Sequence, residues 1–157
     1  GGLDVKSNTT GTHSIFTPFR DFEIMFHVAT LLPHDKNDPQ QLERKRHIGN
    51  DVVIIIFFDT EDPEPKWDPE MICSHVNQVF VLVRPTVTLT GRAYYVNIVN
   101  KKGVPPCTPF LPSPPVFPND DDSRELFLLK LVNVGRAAMH APVYRGKLRR
   151  SRRQMLQ

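Results

Sequence analysis

The chain has 157 residues, 39% hydrophobic and 24% charged, which is enough for a domain with a buried core and excludes a chain that is disordered throughout. No apolar run of about 18 residues predicts a membrane-spanning helix, and the first residues lack the basic and apolar regions of a secretory signal. The net charge of +3 is uneven, because arginine and lysine are dense after Arg136 while acidic residues cluster at 59–64 and 120–122.

Cys73 and Cys107 are the only cysteines, and neither has a close-spaced partner. This argues against a disulfide framework or a cysteine zinc site and favours a reducing, cytoplasmic setting. The chain begins at Gly1 without an initiator methionine, so we expect a segment of a longer protein.

Two β-prone segments, residues 14–19 and residues 23–32, predict a hairpin with a turn at Arg20 and Asp21. Pro18 favours an edge position for the first strand, because proline cannot donate a hydrogen bond to a neighbouring strand. The small, polar residues before the hairpin predict an exposed lead-in.

A helix-start signal follows the hairpin. Asp38, Pro39 and Gln41 fit the N-cap, N1 and N3 positions of a capping box. The helix they open is polar, because only Leu42 and Ile48 offer aliphatic side chains to seat it. A helix with so little to bury is expected to face solvent or a partner over most of its surface.

One face of this helix gathers polar side chains that could contact a partner. At about 100° per residue, four residues fall together and roughly opposite Ile48: Glu43, Arg46, His47 and Asn50. The simpler interpretation of the same residues is an ordinary helix end, with Gly49 terminating the helix and basic residues near its C-terminus. The residues alone leave both interpretations open.

The strongest strand prediction is residues 52–58, where both alternating faces are apolar. Such a strand is expected to lie centrally in a sheet and to be covered on both sides. Further strands are predicted at residues 79–83, which Pro85 is expected to stop, and at residues 93–99.

Proline shapes the connections between these strands. Asp68 followed by Pro69 predicts a short helix that ends near His75. Seven of the 15 prolines lie between Pro105 and Pro118, so residues 103–119 are expected to form a long irregular loop.

The C-terminal part predicts two helices. Asp122 or Ser123 can cap the first, whose apolar stripe consists of Phe127, Leu131, Val134 and Ala138. Pro142 ends it, and residues 143–157 predict a second, very basic helix. Strands alternating with helices predict a single α/β domain with a mixed central β-sheet flanked by helices.

Common enzyme motifs are missing from the sequence. The six histidines have no metal-binding spacing, and a lone His27 in a strand is more simply a partnered core histidine than a ligand. There is no nucleophile elbow and no glycine-rich phosphate loop, so the chain is not expected to bind a nucleotide by itself. The acidic residues of 59–64 favour a solvated loop over a carboxylate site. No aromatic side chains interleave the basic residues 145–153, which therefore favour a solvated helix end over a nucleic-acid site.

Residues 44–51, Arg-Lys-Arg-His-Ile-Gly-Asn-Asp, closely resemble the signature of the Rap GTPase-activating protein family, which includes Rap-specific activators and the tuberin GAP domain. Residues 1–4, 23–30 and 40–43 resemble other blocks of that family in the same order. The resemblance runs through nearly the whole chain, although residues 104–112 depart from the expected sequence. Family domains begin upstream of Gly1, so residues 1–157 are expected to be a Rap-GAP-type catalytic domain that lacks its N-terminal part.

This resemblance implies a role for individual residues. Asn50 matches the family's thumb, an asparagine whose carboxamide helps position the attacking water in a Rap-like small GTPase. Arg46 and His47 match positions that help engage the GTPase, and Lys45 is expected to add electrostatic attraction. GTP and magnesium would belong to the partner, so no cofactor or metal of the chain's own is implied.

The resemblance therefore implies a GTPase activator in the cytoplasm, recruited to membranes where the lipidated GTPase resides. No nucleic-acid partner is expected, and the basic C-terminal residues allow a weak contact with an anionic membrane. The alternative is a non-catalytic module that binds a small GTPase or another protein without stimulating hydrolysis.

Overall fold

The computed structural model describes residues 3–60, 62, 64–68 and 71–156. Contacts within the chain divide it into two compact units, Gly1–Asp51 and Val52–Gln157. Helices and strands occur in both units, and the larger sheet contains parallel and antiparallel pairs. The predicted α/β class with a mixed sheet is confirmed.

The first unit contains the predicted hairpin. Strand β1 (Ile15–Phe19) pairs antiparallel with β2 (Phe22–Phe26) in a two-stranded sheet. The second strand is shorter than predicted and does not reach Leu32. Beyond Phe26 the carbonyl of Val28 accepts hydrogen bonds from the backbone N–H groups of Leu31 and Leu32, which folds the apolar segment into a turn.

Asp4 organises the loop before the hairpin. Its carboxylate accepts hydrogen bonds from the backbone N–H groups of Lys6 and Ser7, each at 3.0 Å, and from the Thr9 hydroxyl at 2.8 Å. The Thr10 hydroxyl in turn accepts from the Asp4 backbone N–H. The predicted lead-in is therefore a structured loop, because one carboxylate satisfies several of its donors.

The second unit is built on a four-stranded sheet in the order β3-β4-β5-β6: Val53–Phe57, Val79–Thr88, Gly91–Asn100 and Val116–Pro118. β3 and β4 run parallel, and the other neighbours are antiparallel. The core lies along β4, where Val79, Phe80 and Val81 are fully buried. β6 is a short pairing segment inside the predicted proline-rich loop.

The predicted central, doubly covered position of β3 is wrong. Among the described strands β3 pairs only with β4 and stands at the edge of its sheet. Ile54 is buried, but Ile55 is 37% exposed and Phe57 is 55% exposed. An apolar run predicts that a strand is buried, but the position of the strand in its sheet depends on which other strands pair with it.

The prediction that Pro85 ends β4 is also wrong. The strand continues to Thr88, and Pro85 lies opposite Tyr94 of β5. β3 reaches only as far as Val83 in the register, so beyond that point β4 has β5 as its sole described neighbour. Proline is tolerated where a strand is paired on one side only, because its lack of a backbone N–H need not remove a hydrogen bond between strands.

Helix α2 (Asp121–Ala138) packs against β3, β4 and β6 of the same unit. Its N-cap is Asp120 rather than the predicted Asp122 or Ser123, since the Asp120 carboxylate accepts from the Ser123 backbone N–H at 2.8 Å. The predicted stripe is largely confirmed, because Leu131, Val134 and Ala138 are buried. Phe127 is half-buried and packs its ring edge-on to Phe117.

Helix α3 (Pro142–Met155) is the predicted basic helix, but it begins at Pro142, which lies in its first turn, and α2 has already ended at Ala138. The Tyr144 hydroxyl donates to the carbonyl of Val76, and burial raises the pKa of that hydroxyl. The short helix predicted from Asp68 includes Pro69 and Glu70, which lie outside the described residues. Within the described part of the chain, no helix is long and apolar enough to span a membrane.

The Asp4 loop makes a prediction about pH. Hydrogen bonds, chiefly from the Ser7 backbone N–H, lower the pKa of Asp4 from its ordinary value of 3.8 to about 2. The carboxylate therefore stabilises the folded chain above about pH 4, and this contribution is lost as the pH falls through the folded pKa. A carbon-13 NMR titration of the Asp4 carboxyl should give a midpoint near 2, and Asp4→Asn should flatten the acid limb of the unfolding free energy. A midpoint at 3.8 would contradict the loop structure.

Candidate functional site

Helix α1 (Leu42–Asn50) carries the residues of the sequence signature. It begins later than predicted, because Gln41 adopts a left-handed conformation at φ 51° and cannot lie within the helix. Asp38 instead closes the turn that precedes it, accepting from the backbone N–H groups of Gln40 at 2.9 Å and Leu42 at 2.7 Å. These hydrogen bonds, chiefly the one from the Leu42 backbone N–H, lower the pKa of Asp38.

The C-terminal end of α1 decides how Asn50 is presented. The helix continues through Gly49 to Asn50, and the next residue, Asp51, is extended at φ −81° and ψ 140°. The Asp51 backbone N–H donates to the carbonyl of Ile48 at 3.2 Å and closes the last turn. The interpretation in which Gly49 terminates the helix is therefore wrong, and Asn50 is the last helical residue.

Three exposed residues form an outward row along α1, at the helical spacing i, i+3, i+7: Glu43, Arg46 and Asn50. The Arg46 guanidinium donates to the Glu43 carboxylate at 2.6 Å, with 59% and 50% of the two side chains exposed. An exposed ion pair of this kind contributes less than about 1 kcal/mol. Arg46 can therefore leave Glu43 and donate to an acceptor on a partner with little loss of stability.

A second row, at the same spacing but one residue later, ties α1 to the rest of its unit. The guanidinium of Arg44 donates to the carbonyl of Leu32 at 3.0 Å, and His47 Nε2 lies 3.1 Å from the carbonyl of Thr9. The third member is Asp51, whose carboxylate contacts His27. Because a carbonyl only accepts, His47 Nε2 must carry a proton. We call Arg44, His47 and Asp51 the anchoring row.

The third anchor is a side-chain pair between His27 and Asp51. His27 Nδ1 lies 2.9 Å from Oδ1 and 2.8 Å from Oδ2 of the carboxylate, and both side chains are about one-third exposed or less. An ionised carboxylate only accepts, so Nδ1 donates. The rings of His27 and His47 also meet, with centroids 5.2 Å apart and planes tilted by 50°.

The aliphatic seat predicted for α1 is not what holds it. Leu42 is 58% exposed, Ile48 is half-buried, and no residue of α1 is buried. Hydrophobic burial therefore contributes little to fixing this helix, and the polar anchoring row takes its place.

The predicted site residues fall into different positions. Arg46 and Asn50 lie together on the outward row, while Lys45 is exposed about 100° around the helix from Arg46. His47 is half-buried and belongs to the anchoring row rather than to the open face. His27 has a side-chain partner, as predicted, and that partner is Asp51. However, His27 lies just beyond the end of β2 and is only partly buried.

Sequence reasoning missed the anchoring roles of Arg44 and Asp51 and the partnership of Asp51 with His27. The signal in the sequence is a second polar row at helical spacing, directly beside Glu43, Arg46 and Asn50. The partners of that row were not visible in the sequence, because two of the three are backbone carbonyls.

The first unit contains a cavity that does not involve the outward row. An apolar cavity of about 230 Å³ beside the hairpin is lined by residues such as Met25, Phe26 and Leu31, and neither Arg46 nor Asn50 lines it. Within the described part of the chain, no group of histidine, cysteine or acidic residues could hold a metal ion. The exposed acidic residues Asp59, Asp62 and Glu64 accordingly form no metal cluster, and Glu61 lies outside the described residues.

Comparisons with known proteins agree with the sequence signature. A GTPase-activating protein of Dictyostelium discoideum is 47% identical over the whole chain, and human GTPase-activating Rap/Ran-GAP domain-like protein 3 is 44% identical over 96% of it. Mouse signal-induced proliferation-associated 1-like protein 1 is 41% identical over 98% of the chain. The chain spans only 15%, 15% and 9% of the lengths of these relatives.

A solved structure of the TSC2 GAP domain has a similar fold, with a TM-score of 0.67 and 26% sequence identity. The similarity covers 91% of this chain and 72% of that structure. The family model described as Rap/ran-GAP matches residues 1–153. The chain therefore belongs to the Rap/ran-GAP family.

Proposed function

We propose that this chain accelerates GTP hydrolysis by a Rap-type small GTPase and that Asn50 acts as a thumb that positions the attacking water. Family membership and the GTPase-activating names of the relatives support the activating function. The observation that carries the assignment of Asn50 is its exposed position at the end of a helix that is held by three polar anchors.

The chemistry of an asparagine suits this role. A Ras-type GTPase hydrolyses GTP slowly until the attacking water is oriented and the developing charge is stabilised. A carboxamide has an acceptor oxygen and two donor hydrogens, so it can hold a water molecule in one orientation without taking up a proton. Asn50 needs no nucleotide pocket on its own chain, since GTP and Mg²⁺ are bound by the partner.

Asn50 alone would not supply all of the stimulation. An acceleration of about 10⁵-fold, typical of an activator, corresponds to roughly 7 kcal/mol of barrier. One positioned hydrogen-bonding side chain supplies roughly 3 to 4 kcal/mol. The remainder would come from ordering the GTPase loops and from excluding water at the interface. A protein surface is suited to both tasks.

Basic residues of α1 would attract and orient the GTPase. Arg46 lies on the outward row beside Asn50, and Lys45 adds an exposed positive charge on the neighbouring side. His47 would act from the anchoring row, where it supports the helix and leaves less of its ring open to a partner.

The basic helix α3 supports a weak contact with an anionic membrane, which would bring the chain to a membrane-bound GTPase. The helix contains no acidic residue, and its arginines are all exposed: Arg145, Arg149, Arg150, Arg152 and Arg153. The side chain of Tyr144 is tied to Val76, while Arg145, Arg149 and Arg153 form a row on a different face. Each arginine near an anionic surface adds about 1 kcal/mol.

The thumb assignment predicts that Asn50→Ala lowers the stimulated single-turnover rate of GTP hydrolysis by about 100- to 1000-fold at saturating chain. Asn37→Ala, a change at an exposed asparagine of the same unit, should leave the rate unchanged. Equal stimulation by the parent and by folded Asn50→Ala would exclude the thumb. Saturable binding by the parent without any stimulation would select the non-catalytic binding module instead.

The proposed role of Arg46 in binding the GTPase predicts a loss of affinity and not a loss of rate. Arg46→Ala should weaken the affinity for the GTPase by roughly 10- to 100-fold, the value of a hydrogen bond made by a charged group, and should change the rate of the bound complex much less. Glu43→Gln is the control, because it removes the ion pair and keeps the guanidinium. A pure rate loss at saturation would indicate an arginine-finger mechanism and contradict the proposal.

The membrane contact predicts that Arg149→Glu with Arg153→Glu lowers binding to phosphatidylserine vesicles more than tenfold, since two charges that each contribute about 1 kcal/mol are reversed. Arg92→Glu with Lys102→Glu makes the same change in net charge at exposed positions outside α3 and should have a smaller effect. Equal losses in the two variants, or binding to an oligonucleotide but not to vesicles, would overturn the proposal.

A further inference from the structure

The C-terminal end of α1 has to be held by polar contacts, because no residue of the helix is buried. Of the three anchors, the His27–Asp51 pair is the nearest to Asn50 along the chain. At about 1.5 Å of rise per residue, His47 lies about 4.5 Å and Arg44 about 9 Å along the axis from Asn50. Asp51 is the adjacent residue. The orientation of Asn50 therefore depends most directly on how Asp51 is fixed.

Asp51 is fixed through both its side chain and its backbone. The two carboxylate oxygens lie 2.9 and 2.8 Å from Nδ1 of His27, and the Asp51 backbone N–H closes the last helical turn on Ile48. Asp51 is also the residue at which the backbone changes from helical to extended. Holding its side chain fixes the point at which the helix ends, and thereby the direction in which the Asn50 carboxamide projects.

His27 also supports a second anchor. Its ring meets the ring of His47 at a centroid distance of 5.2 Å, and His47 is tied to the carbonyl of Thr9. Removal of the His27 ring would take this contact away from the Asp51 carboxylate and would leave one side of His47 without its neighbour. His27 is thus the residue through which two of the three anchors are coupled.

We propose that His27 is a positioning residue for Asn50 and acts through Asp51, an inference that rests on the proposed function. His27 lies outside the signature at residues 44–51 and need not touch the GTPase to act. A group that orients a reacting water is sensitive to its placement, since an error of about 1 Å can reduce a rate by about 100-fold. His27 therefore controls the rate of the bound complex rather than the affinity for the GTPase.

The test compares His27→Ala, His27→Asn and His34→Ala in single-turnover hydrolysis by a Rap-type GTPase. His27→Ala should lower the rate at saturation by about 10- to 100-fold and change the half-saturating concentration by less than about twofold. His27→Asn should recover most of the rate, because an asparagine amide can place a donor where Nδ1 lies. His34→Ala changes an exposed histidine of the same unit and should behave as the parent.

A readout that is independent of hydrolysis keeps the inference separate from the proposed function. In His27→Ala, amide hydrogen exchange at residues 48–51 should become faster and the side-chain NH₂ signal of Asn50 should shift, whereas His34→Ala should show neither change. If His27→Ala does not fold, Asp51→Asn replaces it, since that change weakens the acceptor while keeping its shape.

The outcomes separate the two claims. If His27→Ala retains the parent rate, or if its rate and half-saturating concentration worsen together and His27→Asn restores neither, His27 does not position Asn50. If exchange and the Asn50 signal change as expected but Asn50→Ala still activates fully, the positioning contact stands and the thumb fails. If Asn50→Ala abolishes activation while His27→Ala is neutral in both assays, only the positioning inference fails.

Discussion

The arrangement of α1 depends on polar anchoring in place of hydrophobic burial. Most helices of globular proteins are fixed by an apolar face, but α1 buries no side chain and is tied to its unit through Arg44, His47 and Asp51. These residues each lie one position after Glu43, Arg46 and Asn50. One row of side chains therefore holds the helix in place, and the row beside it faces outward. The outward row remains exposed while the row beside it determines the orientation of the helix.

This separation suits the recognition of another protein. A helix seated by a wide apolar stripe would leave less polar surface for a partner, and a loop would hold a carboxamide less rigidly. A short helix with polar anchors lets Asn50 stand at an exposed terminus with a defined backbone direction. The exposed Glu43–Arg46 pair can rearrange when a partner binds, since its own contribution to stability is small.

The sequence predicted the elements better than their environments. The hairpin, α2, α3 and the buried β4 follow from local patterns, whereas the edge position of β3 and the passage of β4 through Pro85 depend on strand pairing. In the site, helical spacing correctly predicted that Arg46 and Asn50 lie on the same face of α1. The start of α1 was wrong because Gln41 takes a left-handed conformation, and the His27–Asp51 pair was missed because 24 residues separate its members.

The most direct test of the central claim is single-turnover GTP hydrolysis by a panel of Rap-, Ral- and Rheb-type GTPases, with and without the folded 157-residue chain. The chain should accelerate hydrolysis by a Rap-type GTPase most strongly, and the acceleration should saturate with chain concentration. Saturable binding to these GTPases without acceleration of any of them would contradict the account.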